Sequence, residues 1–354
     1  MGEKMEEEIR NNLVQQPLSK IEILKKISAG TPLRNAINDI VHGGLGAIIV
    51  ISNSKTYDCF QGGFKVDCEF TQRRLIELAK MDGAIILSPD FKRILYANTL
   101  LTPNTNLPSS ETGIRHQAGE RTAKETHSLV IVVSQRRGET TIFNDTYRYL
   151  LQPTEDLLRR ASENLQLLEK QREIFDDLLI NLNILELTDL VSIGDICKIL
   201  QRIEMIKKMN KIVHEQILEL GEDGIILKMR MKEVIRGIDL EDELITKDYI
   251  KNNEFTKKFL ESLNFEEILD VERIAINLFN QPQDQSINAK GFRILSKTTL
   301  HEETIESLIR EFETLDKIIN ADHQVLIRTL GTNVNRFHKE ISHLREQILV
   351  GKKV

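Results

Sequence analysis

The hydrophobic rhythm of the chain changes near Tyr149. Before it, brief apolar or β-branched runs recur: GAIIVIS (Gly46–Ser52), GAIILS (Gly83–Ser88), RILYAN (Arg93–Asn98), LVIVVS (Leu129–Ser134) and TTIFN (Thr140–Asn144). Short runs of this kind, several ending in polar turns, predict strands. Between them, TPLRNAINDIV offers Thr31 as a helix N-cap with Pro32 at the first helical position, and FTQRRLIELAKM reads as a second helix. Strands mixed with helices at this spacing imply an α/β domain, a sheet with flanking helices, over residues 1–150.

From Pro153 to about Leu278 the pattern turns helical. Leu157, Leu158, Leu165, Leu168, Leu178, Leu179 and Ile180 recur at helical spacings while glycine is scarce. Charges of both signs are mixed along this stretch, which favours a packed bundle or spine over a membrane-surface helix. The polar run NQPQDQSINAKG (Asn280–Gly291) reads as a linker. A compact, mostly helical tail follows, holding four of the eight histidines, and no internal repeat is visible. The expected organisation is therefore 1–150, 151–285 and 286–354.

Composition narrows the classes. At 354 residues, two or three domains are expected. Hydrophobic residues at 40% and charged residues at 29% suit a soluble globular chain. A net charge of −6 argues against coating nucleic acid along the whole length, though a local basic surface stays open. Cys59, Cys68 and Cys197 form no CxxC pair, so a reducing compartment without a zinc site is expected. The charged start MGEKMEEEIRNN is no secretory signal, and Glu6 stands where a myristoylation pattern wants Ser or Thr. No apolar run approaches the ~20 residues that span a bilayer, so a cytoplasmic protein is expected.

Two stretches carry candidate chemistry. In ETGIRHQAGERTAKET (Glu111–Thr126), the run from Ala118 looks helical, placing Arg115, His116 and Gln117 at or just before a helix N-terminus. Unpaired N–H groups and the positive end of the dipole favour an anion there, and a guanidinium adds a bidentate fork for phosphate. A solvated loop is the competing account. In KMDGAIILSPD (Lys80–Asp90), Asp82 stands at the mouth of an apolar run that must be a buried strand. A carboxylate so placed can hold a divalent metal or take a proton from a hydroxyl, and Gly83 would let a ligand approach the backbone. An ordinary Asp-Gly turn is the alternative. No GxxxxGK[ST] loop is present, so any nucleotide site is not a P-loop.

Taken together, KMDGAIILS, YAN, ETG, RH, ER and SQRR resemble the diadenylate cyclase family, as do TPLRNAI, GGF, CEFTQRRLIELAKMDGAIILS and, late in the chain, GFRILSK (291–297). The resemblance covers nearly the full chain. It implies an α/β cyclase domain with a mixed sheet, an all-α spine and a C-terminal helix-hairpin-helix domain. It implies condensation of two ATP into cyclic di-AMP and two pyrophosphates, with Mg²⁺ or Mn²⁺, coupled to DNA sensing. The family's aspartate-glycine-alanine motif falls on Asp82, Gly83 and Ala84, with Asp82 binding metal and helping to activate the hydroxyl. Gly83 and Leu101 would line the nucleotide pocket, and Ser134 would lie near the phosphates. The arginine-histidine-arginine motif falls on Arg115, His116 and Gln117, flanked by Ile114 and Ala118. The expected assembly is a homo-oligomer, an octamer with facing cyclase domains, and no membrane partner.

The sequence departs from that pattern in two places. Gln117 replaces the second arginine and Ala118 the usual threonine, removing one charge and one hydroxyl; Arg121 or Arg136 is a candidate to compensate. In the tail, TLGTNVNRF keeps Gly331 but has Asn333 where the hairpin's second glycine falls, with Arg336 and Lys339 as candidate DNA phosphate contacts. Asparagine tolerates left-handed backbone angles, which would let the hairpin survive. Acidic neighbours such as Glu302 and Glu303 point to weak DNA binding. The alternative is a catalytically weakened nucleotide- and DNA-binding assembly protein of the same fold.

Overall fold

In the computed structural model, which describes residues 18–351, every run expected to be a strand is one. They are β1 (Ala47–Ile51), β4 (Ala84–Leu87), β5 (Arg93–Leu101), β6 (Leu129–Val133) and β7 (Thr140–Asn144). Three more strands complete the sheet: β2 (Phe60–Gln61), β3 (Phe64–Glu69) and β8 (Tyr147–Leu151). The order is β2-β5-β4-β1-β6-β7-β8, with β3 also pairing β5. Only β1 and β4 run parallel, so the sheet is mixed. The charged N-terminal stretch through Asn12 lies outside the described residues.

The central strands read as unbroken apolar runs because both faces of the sheet are covered. Along β1, Ala47, Ile49 and Ile51 enter one core while Ile48 and Val50 enter the other. The first core is closed by helices α1 (Lys20–Lys26), α2 (Pro32–His42) and α3 (Gln72–Ala79), through Ile23, Ile37, Ile40 and Leu75. Thr31 and Thr71 cap α2 and α3 with their hydroxyls, as the sequence suggests for Thr31. The second core packs α4 (Ile114–Thr126) through Ala123 against Val130, Val132 and Phe143.

The chain forms two compact units, one of residues up to Ala161 with Glu215–Ile226, the other of Ser162–His214 with Leu227 onward. The helical stretch comprises α5 (Thr154–Thr188), α6 (Ile193–Leu220), α7 (Ile225–Ile235), α8 (Ile238–Tyr249), α9 (Asn253–Ser262) and α10 (Val271–Phe279). The last turn of α6 belongs to the first unit. There Glu219 is buried beside Arg34 (Nη1–Oε1 3.7 Å), takes the Tyr149 hydroxyl, and its carbonyl accepts the Ala29 N–H at 2.9 Å.

The second unit contains a buried polar cluster. The Arg293 guanidinium donates to Glu186 at 3.1 and 2.5 Å, and both side chains have no exposure. The Tyr249 hydroxyl donates to the same carboxylate at 2.7 Å. Asp248 accepts the N–H groups of Gly291, Phe292 and Arg293 at 2.7, 2.7 and 2.9 Å. Burial first, and then Glu186, push the Asp248 carboxyl up to about 7. The tail continues as α11 (Phe292–Leu295), α12 (Glu302–Phe312), α13 (Leu315–Ile319), α14 (His323–Leu330) and α15 (Val334–Leu349). Among the described residues no helix is long and apolar enough to cross a membrane.

Candidate nucleotide site

The site begins where β4 begins. Gly83 has φ +90°, and a Cβ there would lie 2.8–3.0 Å from the backbone of Asn98 and Thr99 on β5. Only glycine satisfies both the angle and the close approach. This turn leaves Asp82 outside the sheet with its side chain fully exposed, while Ala84 enters the core at 1% exposure. Ala84's carbonyl accepts the Thr99 hydroxyl at 2.9 Å, locking the strand mouth.

Opposite stands the start of α4. The helix begins at Ile114, earlier than the Ala118 start expected from sequence, because Gly113 serves as an extended N-cap. Gly113 has no side chain to cap with, so the first-turn N–H groups of Ile114, Arg115 and His116 have no intrahelical acceptor. Arg115 and His116 therefore lie within the first turn. The Arg115 guanidinium reaches Asp82 at 3.7 Å and lies over Gly46, whose missing side chain makes the room: a Cβ there would be 2.1 Å from Nη1. Ile114 is 87% exposed beside it.

His116 is half-buried. Burial lowers its pKa, Arg137 and Arg148 add to the lowering, and Glu111 opposes it. A largely neutral imidazole near neutral pH follows. Leu101, at the end of β5, packs with Phe60 and Tyr96 onto the second core. The Ser134 hydroxyl accepts the Arg137 N–H at 3.3 Å, capping its own β6–β7 turn.

Neither departure residue faces open space. The Gln117 side-chain amide donates to the Glu111 carbonyl at 2.9 Å, and Ala118 is half-buried. Arg121 donates to the Leu107 carbonyl at 2.9 Å, and Arg136 is exposed in the β6–β7 turn. Sequence inspection missed Gly46, Glu111, Arg137 and Arg148. Glu111 binds Arg148 at 2.6 Å, a pairing across 37 positions that no local motif announces.

In the tail, Gly331 takes a positive φ of 56° and opens a short 3₁₀ turn through Asn333. Asn333 has φ −82°, so the left-handed tolerance expected to preserve the hairpin is not used. Arg336 is bound to Glu340 at 2.9 Å, and Lys339 is exposed.

Among the described residues no three His, Cys, Asp or Glu side chains gather into a metal cage. A lone exposed carboxylate suits an ion held mainly by substrate phosphates, the usual situation for Mg²⁺.

Comparison with known proteins places the sequence in a family. Residues 34–147 match the model described as the DisA bacterial checkpoint controller nucleotide-binding region. Residues 151–286 match the DisA bacterial checkpoint controller linker region. The chain is 37% identical over 317 residues to the DNA integrity scanning protein DisA of Clostridioides difficile (strain 630), covering 87% of this chain and 89% of that one. To the protein of the same name from Carboxydothermus hydrogenoformans it is 37% identical over 339 residues, covering 92% and 96%. Among solved structures, DacA from Staphylococcus aureus matches 36% of this chain and 86% of that one at 20% identity, with a TM-score of 0.29. With relatives of this identity spanning nearly its full length, the chain belongs to the DisA family of DNA integrity scanning proteins.

Proposed function

We propose that the protein is a diadenylate cyclase that condenses two ATP into cyclic di-AMP and two pyrophosphates. The observation that carries this is the exposed Asp82 carboxylate facing Arg115 across the mouth of β4, beside an uncapped helix N-terminus. In each half-reaction a 3′-oxygen bonds to the α-phosphorus of the other nucleotide and the bond to the pyrophosphate oxygen breaks. The hydroxyl proton leaves toward Asp82 or water. Arg115 and the first-turn N–H groups offset the phosphate charge. Asp82 would hold Mg²⁺ or Mn²⁺, which supplies charge neutralisation at the phosphates.

Each centre needs a second nucleotide held by a facing copy, so the reading implies a homo-oligomer, an octamer by family resemblance. Division into a cyclase domain (1–150), a helical spine (151–285) and a helix-hairpin-helix domain (286–354) belongs to the same reading. DNA would be met by Gly331, Asn333, Arg336 and Lys339, weakly, since Arg336 already pairs with Glu340.

Purified protein with ATP and Mg²⁺ or Mn²⁺ is expected to yield cyclic di-AMP. Nucleotide binding without product would favour the catalytically weakened alternative, and no binding at all would refute both.

A further inference from the structure

The segment from Thr102 to Gly113 links the two halves of the candidate nucleotide site. It leaves β5 at Leu101 and enters α4 at Ile114, and it contains no helix or strand. Such a segment gains order only from what grips it.

Beyond the Thr102 N–H on the Cys59 carbonyl at 2.8 Å and Arg148 on Glu111 at 2.6 Å, what grips it is one face of α4. Gln117 donates to the Glu111 carbonyl at 2.9 Å. Glu120 accepts the Ser109 hydroxyl at 2.5 Å and the Ser110 N–H at 3.0 Å. Arg121 donates to the Leu107 carbonyl at 2.9 Å, and Lys124 to the Pro108 carbonyl at 2.8 Å. Glu125 accepts the Asn104 N–H at 2.7 Å. Positions 117, 120, 121, 124 and 125 form a single helical stripe. In the structure it is a row of side chains closed on the backbone of one loop.

We propose that Gln117 is a positioning residue that fixes this loop, rather than a weakened phosphate ligand standing in for an arginine. Its main-chain N–H donates the first helical bond to the Gly113 carbonyl at 2.8 Å, and the side chain extends that hold two residues back, to Glu111. That turn sets the direction of the Ile114, Arg115 and His116 N–H groups. Through Glu111 it also places the Arg148 guanidinium, bonded at 2.6 Å. Arg121 is committed one turn further on, so it does not take over a phosphate role either. The proposal rests on the nucleotide-binding reading of the site, but its first test does not.

That test is amide hydrogen exchange without nucleotide on the full chain. Gln117→Met keeps the length and removes the donor, and exchange across 104–113 is expected to rise about three- to tenfold, the effect of one net hydrogen bond. Arg121→Met, breaking the neighbouring bond, is expected to act on the same segment. Unchanged exchange in Gln117→Met overturns the proposal even if the protein never turns over ATP. The second test compares ATP with adenosine as binding probes. Loss of loop positioning misdirects the first-turn N–H groups, so ATP binding is expected to weaken in Gln117→Met and by a similar factor in Arg121→Met, with adenosine little changed. A direct phosphate contact by Gln117 would weaken ATP in Gln117→Met alone and leave Arg121→Met at wild-type affinity, which would overturn the proposal. Gln117→Arg is expected to leave ATP affinity equal or lower; tighter ATP binding with adenosine unchanged would overturn the assignment.

Discussion

Two arginine–carboxylate pairs in this molecule use the same groups in opposite ways. Arg293 and Glu186 have no exposure, meet through two hydrogen bonds, and share the site with the Tyr249 hydroxyl. Arg115 and Asp82 meet at 3.7 Å with the carboxylate wholly in solvent. A buried pair has lost its water and depends on each partner for charge compensation. An exposed pair keeps its water and gains little from the contact, so both groups stay available for a ligand. Tightness marks the structural pair, and looseness marks the candidate chemistry.

The largest effect is expected from breaking the buried pair. Arg293→Met leaves Glu186 buried without its cation and should destabilise the second unit by about 3–5 kcal/mol in urea unfolding. Asp82→Asn should do the reverse. Cyclic di-AMP formation is expected to fall at least about a hundredfold through loss of metal and proton handling, with the unfolding midpoint unchanged. Retention of a tenth of the turnover would remove Asp82 from that role.

A smaller effect separates the regions by pH. The folded Asp248 carboxyl sits at about 7, above its ordinary value of 3.8, facing Glu186 and the three N–H groups of 291–293. The folded state therefore binds more protons between those values, and its penalty is fully present only above pH 7. Lowering the pH from 8 to 6 should stabilise the second unit by about 1 kcal/mol, and Asp248→Asn should abolish that increment. A stability that rises with pH over this range, or an increment that survives the substitution, would refute it. The smallest effect concerns the tail. Lys339→Ala should weaken DNA binding a few-fold in a salt titration and lower the salt slope by about one. Deleting the tail from residue 292 is a poor substitute, because it removes Arg293 from Glu186 and two of the three N–H donors from Asp248.

The sequence made the fold legible where a segment's partners were all apolar. β1, β4 and β6 stand out because both faces are buried and every residue is hydrophobic. β3, FKVDCE, is largely exposed with no buried residue, so its periodicity carries little signal. The start of α4 is hidden in the sequence because its cap is a glycine and its first turn has no apolar stripe. Asp82 and Arg115 were legible as types at chain punctuation, and their approach over Gly46 was not. Gln117 is the least legible of these residues. Its partner is a carbonyl, which any residue at 111 would supply. The Glu186–Arg293 pair spans 107 positions, and nothing near either residue announces the other.

The return of the α6 C-terminus to the first unit has a consequence for protein synthesis. Lys20 and Glu215 are joined at 2.6 Å across 195 positions, and Glu219 lies beside Arg34 and Tyr149 close by. At a ribosomal pace of about 5–20 residues per second, the N-terminal residues wait about 10–40 s for this carboxylate to be made. All eight strands and the whole Asp82–Arg115 mouth emerge first, above a buried guanidinium that still lacks its counter-ion. A nascent chain stalled after Leu151 would thus carry every candidate catalytic group on an unfinished floor.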